Sequence, residues 1–320
     1  MRRAPLASLL AGGRWLLPLT LILVQSCFAQ KTDAPATVLH VPGGMIELTL
    51  PSETMKASSQ DLLTWIQNAA QAVSLYYGRF PVPHLTLLVR STDGSGVRHG
   101  VTYPKDGGLI RVSVGRDTPP DDLKDDWVLT HEMTHLAFPS MPDDQHWIEE
   151  GLATYIEPVA RAKAGQLSVA EVWQSFIRDM PKGEPASGDR GLDNTHTWGR
   201  TYWGGALFCL LADVKIREHT QNRKGLQDAL RAILDHGGTI DKDWEIKKAL
   251  AIGDHATKGN VLQDLYQQMG GNPVSVDLPQ LWNTLGLSLN DQGRVVVNDQ
   301  AKDAAILTAI TTARTDHRRP

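Results

Sequence analysis

Apolar residues change their spacing several times along this chain, and each change marks an element. From Ala36 to Leu50, β-branched and apolar residues alternate loosely around the turn Pro42-Gly43-Gly44, the pattern of a hairpin. Between Ser59 and Tyr77, Leu62, Leu63, Ile66, Ala69, Ala70, Val73 and Tyr76 recur at helical spacing. Phe80-Pro81-Val82-Pro83 ends that segment, and His84 to Val89 reads as a strand. Gly94 to Gly108 is glycine-rich and predicts repeated turns. Leu109 to Val114 is the next strand, with Ile110, Val112 and Val114 on one face and Leu109, Arg111 and Ser113 on the other. After Thr118-Pro119-Pro120, an acidic first turn at Asp121 and Asp122 opens a helix expected to run to about Ala137. Beyond Trp147 the pattern is helical to about Gln268, and Val295 to Val297 is a short strand of a terminal α/β piece. The class predicted is α+β: a small α/β lobe over 36–145, then a mostly helical lobe over 146–320.

The first residues stand apart from this pattern. Arg2 and Arg3 precede an apolar run from about Trp15 to Val24, and small residues follow near a cut after Ala29, so 1–29 reads as a secretory signal peptide. The stretch Leu23-Val24-Gln25-Ser26-Cys27 also resembles a lipobox, which would lipidate Cys27 and attach the protein to a membrane. Either route exports the chain, to the periplasm or beyond. Cys209 then stands alone in the apolar run ALFCLL as a small buried hydrophobe, and no internal disulfide is expected. The formal charge is −4, with no basic run beyond Arg318-Arg319, so nucleic acid is excluded as a partner.

Chemistry concentrates at HEMTH, residues 131–135, and WIEEGLATY, residues 147–155. On a helix, His131 and His135 project from one face at a separation suited to one ion. Glu132, rotated by about 100°, stands beside that ion without ligating it, placed to take a proton from water. A catalytic zinc takes a third protein ligand and keeps one position open. The turn-rich link 139–145 folds the next helix back antiparallel, and Ile148, Leu152, Tyr155 and Val159 form its buried side. A carboxylate from the Glu149-Glu150-Gly151 corner then reaches the histidines.

These residues carry a family resemblance. HEMTH followed by WIEEGLATY is similar to the gluzincin metallopeptidases, peptidase-MA-like proteins of thermolysin-like fold, whose third ligand is the Glu before Gly in W-x-x-E-G-x-x-x-Y. The resemblance implies Glu150 rather than Glu149 as that ligand, Zn²⁺ as cofactor, and a peptide or protein as substrate. RTYWGGALFCLLADVKIREHT, residues 200–220, resembles the catalytic domain of glycyl aminopeptidases, where a Tyr-x-x-Gly segment opens a long apolar helix. That implies Tyr202 as the group stabilising the transition state. Where those relatives carry an acidic residue on a Gly-Gly-Leu-Glu-His strand, this chain reads Gly107-Gly108-Leu109-Ile110-Arg111. Internal cleavage is therefore expected over aminopeptidase action, with the Leu109–Val114 strand offered to an extended substrate if it lies at the sheet edge. An inactive envelope binding protein of the same fold is the other reading. Spacing alone suggests Thr154 as an orienting group for His131 or His135 and His196 as a second electrophile, while His99 and His146 read as solvated loop residues.

Overall fold

A computed structural model describes residues 37–313, so the expected signal segment, with Cys27, lies outside the described residues. The described residues form one compact unit. β1 (Thr37–Val41) and β2 (Gly44–Thr49) make the expected hairpin, with Ile46 and Leu48 fully buried on its inner face. α1 (Ser59–Tyr77) begins at a capping box. The Ser58 hydroxyl accepts from Asp61 N–H while the Asp61 carboxylate takes Ser58 N–H, satisfying two of the free donors at the helix start. Gly78 ends it in the left-handed region, at φ 85°.

β3 (His84–Thr92), β4 (Val97–Tyr103) and β5 (Leu109–Gly115) complete a five-stranded mixed sheet of order β1-β2-β3-β5-β4. β2, β3 and β5 run parallel, while β1 and β4 are antiparallel to their neighbours. Two expectations fail here. The glycine-rich stretch contains β4, which no run of turns accounts for. Leu109–Gly115 is consequently an interior strand, and the edge next to it is β4, β1 forming the other edge of the sheet. The edge strand escaped the pattern because an edge buries only part of one face, leaving too few apolar positions to alternate.

The expected long helix is two helices, α2 (Pro120–Lys124) and α3 (Val128–His135). Asp126 breaks it. Its carboxylate accepts from the N–H groups of Val128 (3.0 Å) and Leu129 (3.1 Å), and from Trp65 Nε1 at 2.9 Å. An Asp that satisfies free N–H groups from outside the helix starts a new one rather than continuing the old. α4 (His146–Lys163) folds back from α3 after a single 3₁₀ turn and buries Ile148, Leu152, Tyr155 and Val159 as expected. α5 (Val169–Asp179) follows. A π-helical turn, Gly199–Gly204, leads into α6 (Gly205–His219), whose Cys209 is buried and free. α7 (Leu226–Asp235), α8 (Ile246–Thr257), α9 (Val261–Met269) and α10 (Leu278–Leu285) come next. A small hairpin, β6 (Leu287–Leu289) with β7 (Val295–Val297), and α11 (Ala304–Thr311) close the described chain.

α4 and α6 meet at backbone distance. A Cβ on Gly151 would lie 2.3 Å from Gly205 Cα, and a Cβ on Gly205 would lie 2.3 Å from the Trp147 carbonyl oxygen. Glycine stands at both positions because any side chain would separate the helices. The contact fixes the π-turn, and with it Tyr202, against the first turns of α4.

Candidate metal centre

One face of α3 and the first turns of α4 bring His131, His135 and Glu150 together. Each offers a ligand atom, and all three atoms lie within 4.8 Å of one another. His131 Nε2 is 3.1 Å and His135 Nε2 3.7 Å from the same oxygen, Glu150 Oε2. All three side chains are nearly enclosed, between 7% and 12% exposed. Burial and the neighbouring His131 push the His135 pKa down to about 3, so both ring nitrogens avoid a second proton at neutral pH. Burial works to raise the Glu150 pKa, but hydrogen bonds from His131 and His146, with His135 close by, outweigh it and hold the carboxyl well below its usual range. Two imidazole nitrogens and a carboxylate oxygen at this spacing are the donor set a catalytic zinc takes.

His146, the first residue of α4 rather than of a loop, is solvent-exposed as expected but also touches the cluster. Its Nδ1 lies 2.9 Å from Glu149 Oε2 and its Nε2 3.1 Å from Glu150 Oε1. Those two carboxylates raise its pKa to about 10, against the cost of burial. Glu149, the other candidate ligand, is thereby engaged with His146, and it stands outside the three-donor cluster. No sequence pattern marked His146, although its i+3 and i+4 spacing to Glu149 and Glu150 on one helix was legible.

Glu132 lies on α3 beside the cluster, 8% exposed, under β4. Burial raises its pKa, and a hydrogen bond from the Thr102 hydroxyl opposes the rise. Tyr202, on the π-turn, stacks near His131 with ring centroids 6.3 Å apart and near Trp198 at 5.9 Å. Burial, then the Glu150 and Glu132 carboxylates, push its phenol up to about 12, so it keeps its proton at neutral pH. Buried Arg200 steadies this turn by pairing with Asp189 at 2.8 Å and donating to the Gly183 carbonyl. A cavity of about 510 Å³ opens beside His131 and Tyr202, walled by Trp127, Thr154, Glu157, Val172 and Trp198. Thr154 thus faces the same space as His131 but makes no hydrogen bond to either histidine. His196 is exposed and does not line that cavity.

Arg111 lies on the wrong face to meet a substrate at this site. Thr102, which bonds Glu132, pairs across the sheet with Ile110, whereas Arg111 pairs with Val101 and so points the opposite way. Its guanidinium sits over the Tyr103 ring at 5.2 Å.

The same arrangement of elements occurs in a solved aminopeptidase N family protein from Idiomarina loihiensis, with a TM-score of 0.61 and 13% identity over 83% of this chain. The chain shares that fold. It spans about half of the neighbour, 52% of its length. An M1 zinc metallopeptidase from Deinococcus radiodurans aligns over 76% of this chain and 53% of its own, at 16% identity and a TM-score of 0.48. No family model matches the sequence, and neither does any curated protein.

Proposed function

We propose that this protein is an exported zinc-dependent metallopeptidase that hydrolyses peptide bonds within peptides or proteins. The observation that carries the reading is the Glu132 carboxyl held beside the buried three-donor cluster of His131, His135 and Glu150. Those three residues would hold the ion, and zinc so bound supplies a Lewis acid and an acidified water. Glu132 takes a proton from the attacking water and returns it to the leaving amine. Its raised pKa suits both halves of that exchange, because a group titrating nearer the working pH accepts and donates alike. The Tyr202 hydroxyl donates to the oxyanion as it forms, a contact typically worth a few kcal/mol in the transition state. His146, at 3.1 Å from the other oxygen of Glu150, helps to aim that carboxylate. The cavity beside His131 receives a substrate side chain, with Trp127, Trp198 and Val172 giving apolar contact and charged residues such as Asp125, Glu171 and Lys182 also lining it.

Internal cleavage is favoured by the edge strand itself. Val97–Tyr103 (VRHGVTY) carries no Asp or Glu, so it offers nothing to balance a substrate's α-ammonium. Aminopeptidase action is the second reading, supported by the fold shared with the aminopeptidase N family protein. The general reading is tested by metal analysis and turnover together. One zinc per chain is expected, lost in His131→Ala and His135→Ala. Glu132→Gln is expected to keep the zinc and lose nearly all hydrolysis of a broad peptide library. Zinc retained in a double-His variant, or turnover retained in Glu132→Gln, would defeat it.

A further inference from the structure

The edge strand β4 crosses α3 directly above Glu132, and two of its residues act on the carboxyl in different ways. An ideal Cβ at Gly100 would lie 2.6 Å from Glu132 Cγ, 2.9 Å from its Oε1 and 2.8 Å from Val128 Cγ1. Gly100 is not in the left-handed region, so its lack of a side chain serves space rather than backbone conformation. Two residues along the same strand face, Thr102 Oγ1 lies 2.6 Å from Glu132 Oε2 and 2.9 Å from the Glu132 backbone carbonyl. A hydroxyl has one proton to give and lone pairs to receive. Placed between Oε2 and the carbonyl of the same residue, the Thr102 hydroxyl ties the Glu132 carboxyl to its own helix turn under β4.

We propose that Gly100 and Thr102 are positioning residues for the general base, Gly100 by leaving room for the carboxyl and Thr102 by fixing its rotamer. The kinetic consequence rests on the peptidase reading given above; the geometric one does not. The test compares Thr102→Val, which is isosteric but has no hydroxyl, with Thr102→Ser, which restores it. Thr102→Val is expected to bind zinc and melt like the wild type while kcat falls about 10- to 100-fold at little changed KM, as misplacement of a reacting group demands. Thr102→Ser should recover to within about threefold, because the hydroxyl and not the methyl does the positioning. High-resolution crystal structures of the zinc-loaded variants give a readout independent of turnover. The Glu132 carboxyl should leave its wild-type rotamer in Thr102→Val, keep it in Thr102→Ser, and be displaced in Gly100→Ala. An unmoved carboxyl in Thr102→Val, or equal losses of kcat in the Val and Ser variants, overturns the proposal. A wild-type protein that cleaves no peptide would count against the peptidase reading alone, since the rotamer comparison still decides this one. Should Thr102→Val fail to fold, Gly100→Ala decides: a carboxyl left in place there overturns it as well.

Discussion

Replacing Gly151 with Ala tests whether the α4–α6 contact builds this site. In an exposed helix interior, Gly→Ala raises stability by about 1 kcal/mol through backbone entropy. Here the new methyl would lie 2.3 Å from Gly205 Cα and carbonyl carbon, where ordinary contacts begin at 3.4 Å. The obstructing atoms are backbone, so no rotamer change relieves them, and α4 and α6 must part by about 1 Å. Overpacking of this kind costs about 1–3 kcal/mol, which exceeds the propensity gain at most of that range. Net of the propensity gain the loss is about 1 kcal/mol at the middle of that range, and a melting point lower by roughly 2–4 °C follows for a chain of this size. On the proposed function the displacement also acts on turnover, because Gly151 directly follows the candidate ligand Glu150 and Gly205 directly follows the turn that carries Tyr202. Misplacement by about 1 Å can cost on the order of 100-fold in rate, so turnover should fall further than stability alone explains. Gly271 serves as a control, since a Cβ there meets nothing within 4 Å, and Gly271→Ala should melt near the wild type. Thermal unfolding of the three proteins decides the matter. A Gly151→Ala melting point at or above wild type would refute the close-contact argument.

Other outcomes follow from individual groups. Tyr202→Phe should lower kcat about 10- to 100-fold with little change in KM, because its hydroxyl acts as charge develops; an unchanged kcat removes Tyr202 from the oxyanion role. A pH series on metal-free protein tests the buried His135. Its folded pKa of about 3 lies below the ordinary 6.5, so its contribution is fully present above pH 6.5 and is lost as pH falls toward 3. Relative to metal-free His135→Gln, the wild type should lose on the order of 3 kcal/mol between pH 6.5 and 4, and a pH-independent difference would contradict the burial. Finally, N-acetylated and free-amine forms of one peptide should be cleaved comparably, whereas strict dependence on a free amino terminus would establish the aminopeptidase reading.

What was legible along the chain was whatever depends on neighbours in sequence. HEMTH placed two imidazoles four residues apart on one helical face, because helical periodicity alone sets those directions, and the resemblance to W-x-x-E-G-x-x-x-Y pointed to Glu150 rather than Glu149 as the third donor. α1, the β1–β2 hairpin and the buried side of α4 were visible for the same reason: their apolar residues recur at the period of the element. The resemblance of 200–220 to a Tyr-x-x-Gly helix start led to Tyr202, and the structure adds that it faces His131. Strand order was not legible. Leu109–Gly115 looks like an available strand in isolation, and only the pairing with both β3 and β4 makes it an interior one, turning Arg111 away from Glu132. Gly100 and Thr102 were hidden among glycines that read as turns, since their meaning arises from a carboxyl thirty residues on in the chain. His146 joined the cluster because α4 folds back onto α3, and the Gly151–Gly205 contact brings together residues more than fifty positions apart. Periodicity reports the face a residue presents, while pairing and close approach depend on chain segments that sequence distance does not connect. The candidate ligands therefore belong to the pattern, and the contacts around the Glu132 carboxyl belong to the fold.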